Sequence, residues 1–398
     1  MTVAPPPATG PSLTTAAAPA GPITVQDRAS SAGIAQTTLT RGAVILDYNG
    51  DGLPDIFLGR HQNPAGLYRN NGDGTFTEVQ VGAFPHYDRH RCATADVNGD
   101  GLPDIFCAVG ADQGTEVKHD ELWIEQPDHT FKEEAAAYGV ADPFGRGRRA
   151  TFVDVNGDGY PDLVLGNQSD RADGLPSPNR LFLNVGGTSF ADVPSFGLDR
   201  EIDALCLRVG DYNNDGWPDL VDCASAGLRL FQNDAGTGFT DVTASVGLKT
   251  SAMDAVFTDL NGDGRPDLAV VTRSSLQIWL WSGAAFHLAS TQPIVAPVGV
   301  TAVDLNGDGA LDLYVVTGRS PSCLDPATGG ENCPDRAFIN SGTGTFTPLD
   351  VSAVQTSVGQ GDAAIPIQYP GPGDVALIVL NGGGDSPGPV QLLTFTPS

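Results

Sequence analysis

Asp, Asn, Asp and Asp recur six times along this chain at relative positions 1, 3, 5 and 9, with Gly at position 6 in every copy. The copies are DYNGDGLPD at Asp47, DVNGDGLPD at Asp96, DVNGDGYPD at Asp154, DYNNDGWPD at Asp211, DLNGDGRPD at Asp259 and DLNGDGALD at Asp304. This spacing curls hard oxygen ligands around one cation, and calcium is the cation that takes carboxylate, amide and backbone carbonyl oxygens together. Position 7 varies freely in side chain, as expected if only its carbonyl is a ligand, and the Gly makes the sharp turn. The expected ligands are Asp47, Asn49, Asp51, Leu53 and Asp55; Asp96, Asn98, Asp100, Leu102 and Asp104; Asp154, Asn156, Asp158, Tyr160 and Asp162; Asp211, Asn213, Asp215, Trp217 and Asp219; Asp259, Asn261, Asp263, Arg265 and Asp267; and Asp304, Asn306, Asp308, Ala310 and Asp312. About six Ca2+ ions are therefore expected. An acidic surface turn that binds nothing is the alternative for any single copy.

An EF-hand would need flanking helices and a bidentate Glu at position 12. Here the flanks are short, β-branched apolar runs, such as AVIL, ATFV and VTAV before the loops and DIFLG, DLVLG and DLAVVT after them. Each loop is thus expected to turn a β-hairpin. A third strand follows each hairpin (GLYRN, ELWIEQ, RLFLN, LRLFQN, LQIWLW, RAFIN). A fourth, led by Phe, is read from FTEVQVG, FKEEAAAYGV, FADVPSFGL, FTDVTASVGL, FHLAST and FTPLDVSAV. Four strands per unit at roughly the 40–50 residue period of known blades predict a β-propeller.

A seventh, degenerate unit is visible at the C-terminus. AAIPIQYPGPGDVALIVL aligns on TAVDLNGDGALDLYVVTG with Pro366, Gln368 and Pro370 in place of Asp304, Asn306 and Asp308, so this hairpin is expected to hold no metal. VQLLTF supplies its third strand, and ITVQD near the N-terminus supplies the fourth. The expected fold is all-β: a seven-bladed β-propeller of four-stranded antiparallel blades, the last closed by the N-terminal strand, which leaves no open edge. Residues 1–22, rich in Pro, Ala and Thr, read as a flexible linker without the basic start or apolar segment of a signal peptide, and residues 23–398 as the propeller.

In these motifs the chain resembles FG-GAP/VCBS repeats, the calcium-binding propeller repeats of integrin α-subunit heads, and is most similar to the secreted cartilage acidic protein-like group. The resemblance covers everything after residue 22 and implies the propeller and its calcium. It says little about activity, because such propellers serve as adhesion modules, lectin-like binders and some polysaccharide lyases or dehydratases.

Net charge is −27, and two charges per calcium would still leave the chain acidic. That argues against nucleic acid and anionic membrane surfaces as partners. No apolar run approaches the roughly 20 residues that span a bilayer. Cys92 and Cys107 flank the second loop, Cys206 and Cys223 flank the fourth, and Cys323 and Cys333 bracket a polar loop. Three local pairs predict disulfides and an oxidising compartment, hence a secreted, extracellular or periplasmic protein, taken as a monomer. Six buried thiols are the alternative.

Strands alternate direction, so connections from strand 2 to 3 and from unit to unit fall on the face opposite the acidic loops. In units 1 to 3 these are long and rich in titratable groups, including GRHQNPAG, PHYDRHR, ADQGTEVKHD, GRGRR and NQSDRADGLPSPN; in units 4 and 5 they shrink to ASAG and TRSS. Arg41, His90 and Arg148 each stand six residues before their first loop Asp, which should place them around the channel mouth. With His61, His119, Arg146 and Arg149 they are the candidate ligand-binding residues, suited to an anionic or carboxylate-bearing ligand, carbohydrate included. Solvated charges, or pairs with Asp88 and Asp203, are the ordinary alternative. Four histidines, His61, His86, His90 and His119, share this face and could hold a transition metal or act as general base, with Tyr87 and Asp88 beside them. No HExxH, GxSxG, Walker or dinucleotide motif is present. Trp123, Trp217, Trp279 and Trp281 read as blade packing. The expected function is therefore a secreted, calcium-stabilised propeller that binds a ligand over units 1 to 3. The alternative is an enzyme there, a metal-assisted or His/Arg-based lyase or hydrolase using His86, His90 and Arg148 with Tyr87 or Asp88.

Overall fold

The structure, a computed structural model, describes residues 22–80, 82–85, 87–110, 118–168, 174–198, 204–224, 227–324, 326, 329–355, 359–370, 374–384 and 386–397. Residues 1–21, His86 and Asp203 lie outside them. Every acidic loop turns an antiparallel hairpin, and the ninth-position Asp stands opposite the residue that precedes the loop. Leu46 faces Asp55, Ala95 faces Asp104, Val153 faces Asp162, Gly210 faces Asp219, Thr258 faces Asp267 and Val303 faces Asp312. Third strands pair on the hairpins over Gly66–Asn70, Glu121–Glu125, Arg180–Asn184, Gly227–Asn233, Ser275–Trp281 and Arg336–Asn340. The result is an all-β fold of four-stranded antiparallel sheets, as in a propeller. The first two units are also joined to each other. Asp55–Asn63 runs beyond its own sheet, so that His61 and Asn63 pair with Asp88 and Tyr87 at the start of Tyr87–Ala95.

Cys92 pairs with Cys107 and Cys206 with Cys223 as cross-strand neighbours, and both pairs are disulfides, as is Cys323 with Cys333.

Five of the six Phe-led fourth strands are shorter than the sequence patterns suggest, whereas Phe286–Pro293 runs past FHLAST. Phe131–Glu133 gives way to a helical turn at Ala135–Tyr138, Phe190–Asp192 to a 3₁₀ turn at Pro194–Phe196, and Phe346–Leu349 to another at Ser352–Val354. After three or four residues the chain turns to deliver an apolar side chain to the gap between sheets, and a helical turn does so. Gly139 (φ 82°) and Gly197 (φ 86°) end the first two of these turns in the left-handed region, Gly247 (φ 80°) does the same for the turn after Phe239–Asp241, and buried Val140, Leu198 and Leu248 follow; the turn at Ser352–Val354 ends on extended Gln355 instead. Each Gly also lies under the carbonyl of the Phe leading the next unit. A Cβ would stand 3.2 Å from Phe190 O at Gly139, 3.0 Å from Phe239 O at Gly197 and 3.4 Å from Phe286 O at Gly247.

The N-terminal segment repeats this pattern in full. Ile23–Asp27 pairs antiparallel with Gly388–Pro397, Val25 opposite Phe395. A helical turn, Ala29–Ala32, ends on Gly33 (φ 80°), buried Ile34 follows, and a Cβ on Gly33 would meet Phe76 O of the first unit at 2.8 Å. The same logic runs through the cores, each built by two consecutive sheets. Val164 and Leu181 pack with Leu220 and Phe231, Val221 and Leu230 with Leu268 and Trp279, and Tyr314 and Ala337 with Leu377 and Leu393. The last sheet packs on the first through Ile378 and Leu392 against Ile56 and Tyr68.

Gly33→Ala therefore tests whether the N-terminal strand is seated. We expect a loss of at least about 1 kcal/mol, because alanine is strained at positive φ and its methyl meets a carbonyl. An unchanged denaturant midpoint would mean that the segment is not docked.

Candidate functional site

Two chemically opposite ends face each other along the inner strands. From Arg41 to Asp47 is six residues, roughly 20 Å at the rise of a strand.

At the acidic end the loop side chains turn in on their own backbone. Asp47 accepts from Asp51 N at 3.1 Å and Gly52 N at 2.8 Å, and Asp51 accepts from Leu53 N at 2.9 Å. The sixth loop repeats this, with Asp304 accepting from Asp308 N at 3.2 Å and Gly309 N at 2.8 Å. The ninth-position Asp does something that its ligand pattern did not announce. In each unit it is buried, and its two oxygens accept one N–H from the loop and one from the end of the third strand. Asp219 takes Tyr212 N at 3.1 Å and Asn233 N at 2.8 Å, and Asp312 takes Leu305 N at 2.8 Å and Asn340 N at 2.7 Å. Burial raises these carboxyls, Asp104 to about 7 with Asp100 and Asp96 adding repulsion, and Asp55 and Asp162 to about 6.

The residue receiving that clasp is itself a fastener. Asn184 donates to Val97 O at 2.8 Å, Asn233 to Val155 O at 2.8 Å and Asn340 to Leu260 O at 2.9 Å, each time reaching the preceding unit. The signal was present as the closing Asn of GLYRN, RLFLN, LRLFQN and RAFIN, and sequence reasoning passed over it.

At the opposite end lies a cavity of about 240 Å³ lined by Arg41, His90, Arg91, Arg148, Arg149, Gln168, Ala204, Leu205 and Asp362. Among the described residues four arginines thus face one carboxylate. Arg91, Arg149 and Asp362 also line an adjoining cavity of about 370 Å³, with Arg208 and Asp254. Sequence reasoning singled out Arg41, His90, Arg148 and Arg149 on this face, included Arg91 and Gln168 there only as parts of PHYDRHR and NQSDRADGLPSPN, and missed Arg208 and Asp362. Arg91 and Arg149 both stand five residues before their loops, so the inner-strand register could have found Arg91.

The guanidinium groups are held in place by carbonyls and side chains. Arg41 Nη2 donates to Gly384 O at 2.7 Å, Arg149 Nε to Leu205 O at 2.7 Å, and Arg91 Nη2 to Asp362 Oδ1 at 3.0 Å. Arg148 donates from Nε to Gln168 Oε1 at 2.7 Å and from Nη1 to His90 Nε2 at 2.9 Å. Burial, then Arg91, pushes Arg149 down to about 9, which leaves it charged at neutral pH. Burial, then Arg148 and Arg41, holds His90 well below the usual histidine range. His90 is therefore a neutral ring accepting at Nε2.

Behind His90, its i−2 neighbour Asp88 faces the same way along the strand. Asp88 Oδ1 stands 2.5 Å from His61 Nε2 and 3.6 Å from His90 Nε2, and the two imidazole rings are 5.2 Å apart. The other candidates are not gathered here. Tyr87 lies tilted beside His119, ring centroids 5.9 Å apart, and Arg146 is buried with its backbone N–H on Ser177 Oγ at 2.9 Å, outside the cavity lining. Beneath the strand, fully buried Arg89 makes a bidentate pair with Glu121 at 2.5 and 2.7 Å and stiffens its start.

Residues 47–107, 96–165, 154–221 and 259–315, together more than half of the chain, match the FG-GAP-like repeat. The chain belongs to the FG-GAP-like repeat family. Each matched segment begins on the first Asp of a loop, so the FG-GAP-like unit is read from one acidic turn to beyond the next. Among curated relatives, human cartilage acidic protein 1 is 27% identical over 62% of this chain and 30% of its own length, and the mouse protein 33% over 62% and 31%. Bovine phosphatidylinositol-glycan-specific phospholipase D is 29% identical over 34% of this chain and 20% of its own length. The chain thus spans less than a third of the relatives it matches. In fold it is similar to an Agrocybe aegerita lectin solved for its recognition of non-reducing terminal N-acetylglucosamine, with TM-score 0.52, 19% identity and coverage of 79% of this chain and 80% of that one. It is also similar to BBS1N, solved in complex with ARL6DN, with TM-score 0.54, 12% identity and coverage of 91% and 93%.

At the same end of the FG-GAP-like units, Asp222 is buried between the third and fourth sheets. Asn179 Nδ2 donates to its Oδ2 at 3.2 Å, and Oδ1 has no hydrogen-bond partner among the described residues. Burial raises its carboxyl to about 7, against the lowering by Arg229 and Asn179. The native protein therefore binds this proton more tightly than the unfolded chain does, and stability falls as pH rises from about 4 through about 7. Asp222→Asn should raise stability relative to wild type at about pH 8 and much less at about pH 5. Denaturant unfolding at both values checks this, and an equal effect at both contradicts it.

Proposed function

We propose that the chain is an exported, calcium-stabilised, seven-bladed propeller closed by its N-terminal strand, and that it binds an anionic ligand in the arginine cavity. Seven blades are supported by the cyclic run of two-sheet cores, and closure by the pairing of Ile23–Asp27 and the repetition of the Gly–Phe contact at Gly33 and Phe76. The three disulfides and the cartilage acidic protein relatives support export.

The loop residues fit calcium by their chemistry. All donors are oxygens, several carboxylates share each turn, and the raised carboxyls record repulsion and burial that a divalent cation would reverse. Asp, Asn and Asp at positions 1, 3 and 5, the carbonyl at 7 and the Asp at 9 would hold it. When bound, the ion supplies counter-charge to the turns, and the loop's own N–H groups keep the carboxylates aimed.

The observation that carries the ligand proposal is that, among the described residues, four arginines line one small cavity against a single carboxylate. In a chain with formal charge −27, such a concentration of positive charge selects anions, and its anchoring to carbonyls means little is lost in ordering the guanidinium groups on binding. A volume of about 240 Å³ suits a small acid or one acidic sugar unit. A second reading, catalysis on the same face, has one point in its favour: neutral His90 at the cavity wall is in the protonation state of a general base.

Titration with glucuronate, small dicarboxylates and acidic oligosaccharides, followed by calorimetry, tests binding. Arg148→Ala and Arg41→Ala should each cost roughly 1.5–3 kcal/mol of binding free energy with the fold retained. Affinity for none of these probes, or affinity unchanged in both variants, would overturn the proposal. Turnover of a bound probe that His90→Gln abolishes would establish the catalytic reading instead.

A further inference from the structure

We propose that His61, Asp88 and His90 form a three-ligand site for one first-row transition ion, of the Zn2+ type, in the wall behind the arginine cavity. Among the described residues this is the one group of three His, Cys, Asp or Glu side chains whose ligand atoms all lie within 4.8 Å of one another. All three residues are buried. Two imidazole nitrogens and one carboxylate oxygen are the donors of zinc, iron or cobalt sites, chemically distinct from the all-oxygen loops at the other end. Ion uptake here does not depend on the anion proposed for the cavity.

The site is a product of the strand pairing that joins the first two units. His61 reaches it because Asp55–Asn63 overruns its own sheet to lie opposite Asp88, and His90 follows Asp88 by two residues on the same strand face. Four ligands at about 2.0–2.1 Å from a tetrahedral ion stand about 3.3–3.4 Å apart. Here Asp88 Oδ1 is 2.5 Å from one imidazole and 3.6 Å from the other, both within about 1 Å of that spacing, and the two imidazole nitrogens lie within 4.8 Å of each other. His61 Nδ1 is buried with no hydrogen-bond partner among the described residues, so no hydrogen bond on that side of the ring resists a shift to that spacing.

Two features show what shares the space. Gly110 has no side chain where a Cβ would stand 2.5 Å from His90 Nε2 and 2.6 Å from Asp88 Oδ2. Arg148 Nη1 occupies the cation's place against His90 Nε2 at 2.9 Å. The ion and this guanidinium compete for one nitrogen. Because His90 and Arg148 also line the cavity, the open fourth position is where an anion held there could complete the shell.

The test is a Co2+ titration of the whole protein, stripped of transition metals and kept in saturating calcium so that the acidic loops are filled. One equivalent should give the intense visible absorption of a four-coordinate site, displaced by Zn2+. His61→Ala and His90→Gln should each weaken uptake beyond the roughly 10–100-fold that outer-shell partners cost, while Arg148→Ala, which removes the competitor, should tighten it about tenfold. Only the faint absorption of six-coordinate oxygen sites in folded wild type would overturn the proposal, as would variants that bind as wild type does. Should a histidine variant fail to fold, the Arg148→Ala titration decides alone: unchanged or weaker uptake contradicts competition for His90.

Discussion

A buried aspartate that accepts two backbone N–H groups from different segments is the constraint on which this structure depends. In every acidic unit the ninth loop residue ties the hairpin turn to the end of the third strand. In units 3, 4 and 6, the Asn at that strand end reaches back to a carbonyl of the preceding unit. One carboxylate thus fixes the turn, its sheet and the spacing to the neighbour. Such a group is costly if its charge goes uncompensated in a nonpolar setting, and the neighbouring loop carboxylates raise that cost.

Holding one end of each sheet in this way leaves the other end to vary. The inner strands begin about 20 Å away, at one strand rise per residue, and their first residues converge on the central opening. Units 1 to 4 place Arg41, Arg91, Arg148, Arg149 and Arg208 there, while later units offer Asp254 and Asp362. The same register that aims carboxylates at one end aims guanidinium groups at the other. Longer connections and the overrunning strand of the first unit add His61 and Asp88 behind that surface.

Much of this was legible from repetition. The hairpins, third strands, terminal unit and cysteine pairs follow from motifs that recur in register, because a repeated local pattern must solve the same packing problem each time. Most fourth strands were overread because a Phe-led start looks the same whether the strand runs on or gives way to a helical turn; Gly139 and Gly197 mark the difference. The arginine cavity was half legible. Arg41, His90 and Arg148 share one offset, but Asp362 and Gln168 come from connections whose paths no local pattern specifies. Tyr87 was grouped with Asp88 by adjacency, yet neighbours on a strand face opposite ways, and its ring lies beside His119 instead.

The central claim is that the six acidic turns carry cations and that the seventh unit, with Pro366 and Gln368 at ligand positions, carries none. Metal analysis of protein dialysed against calcium, joined to melting before and after chelation, tests it most directly. The account predicts close to six Ca2+ per chain and a large fall in melting temperature on their removal, since each site filled at about a hundred times its dissociation constant contributes about 2.7 kcal/mol. A chain that retains one calcium or none, and melts at the same temperature in chelator, would contradict it.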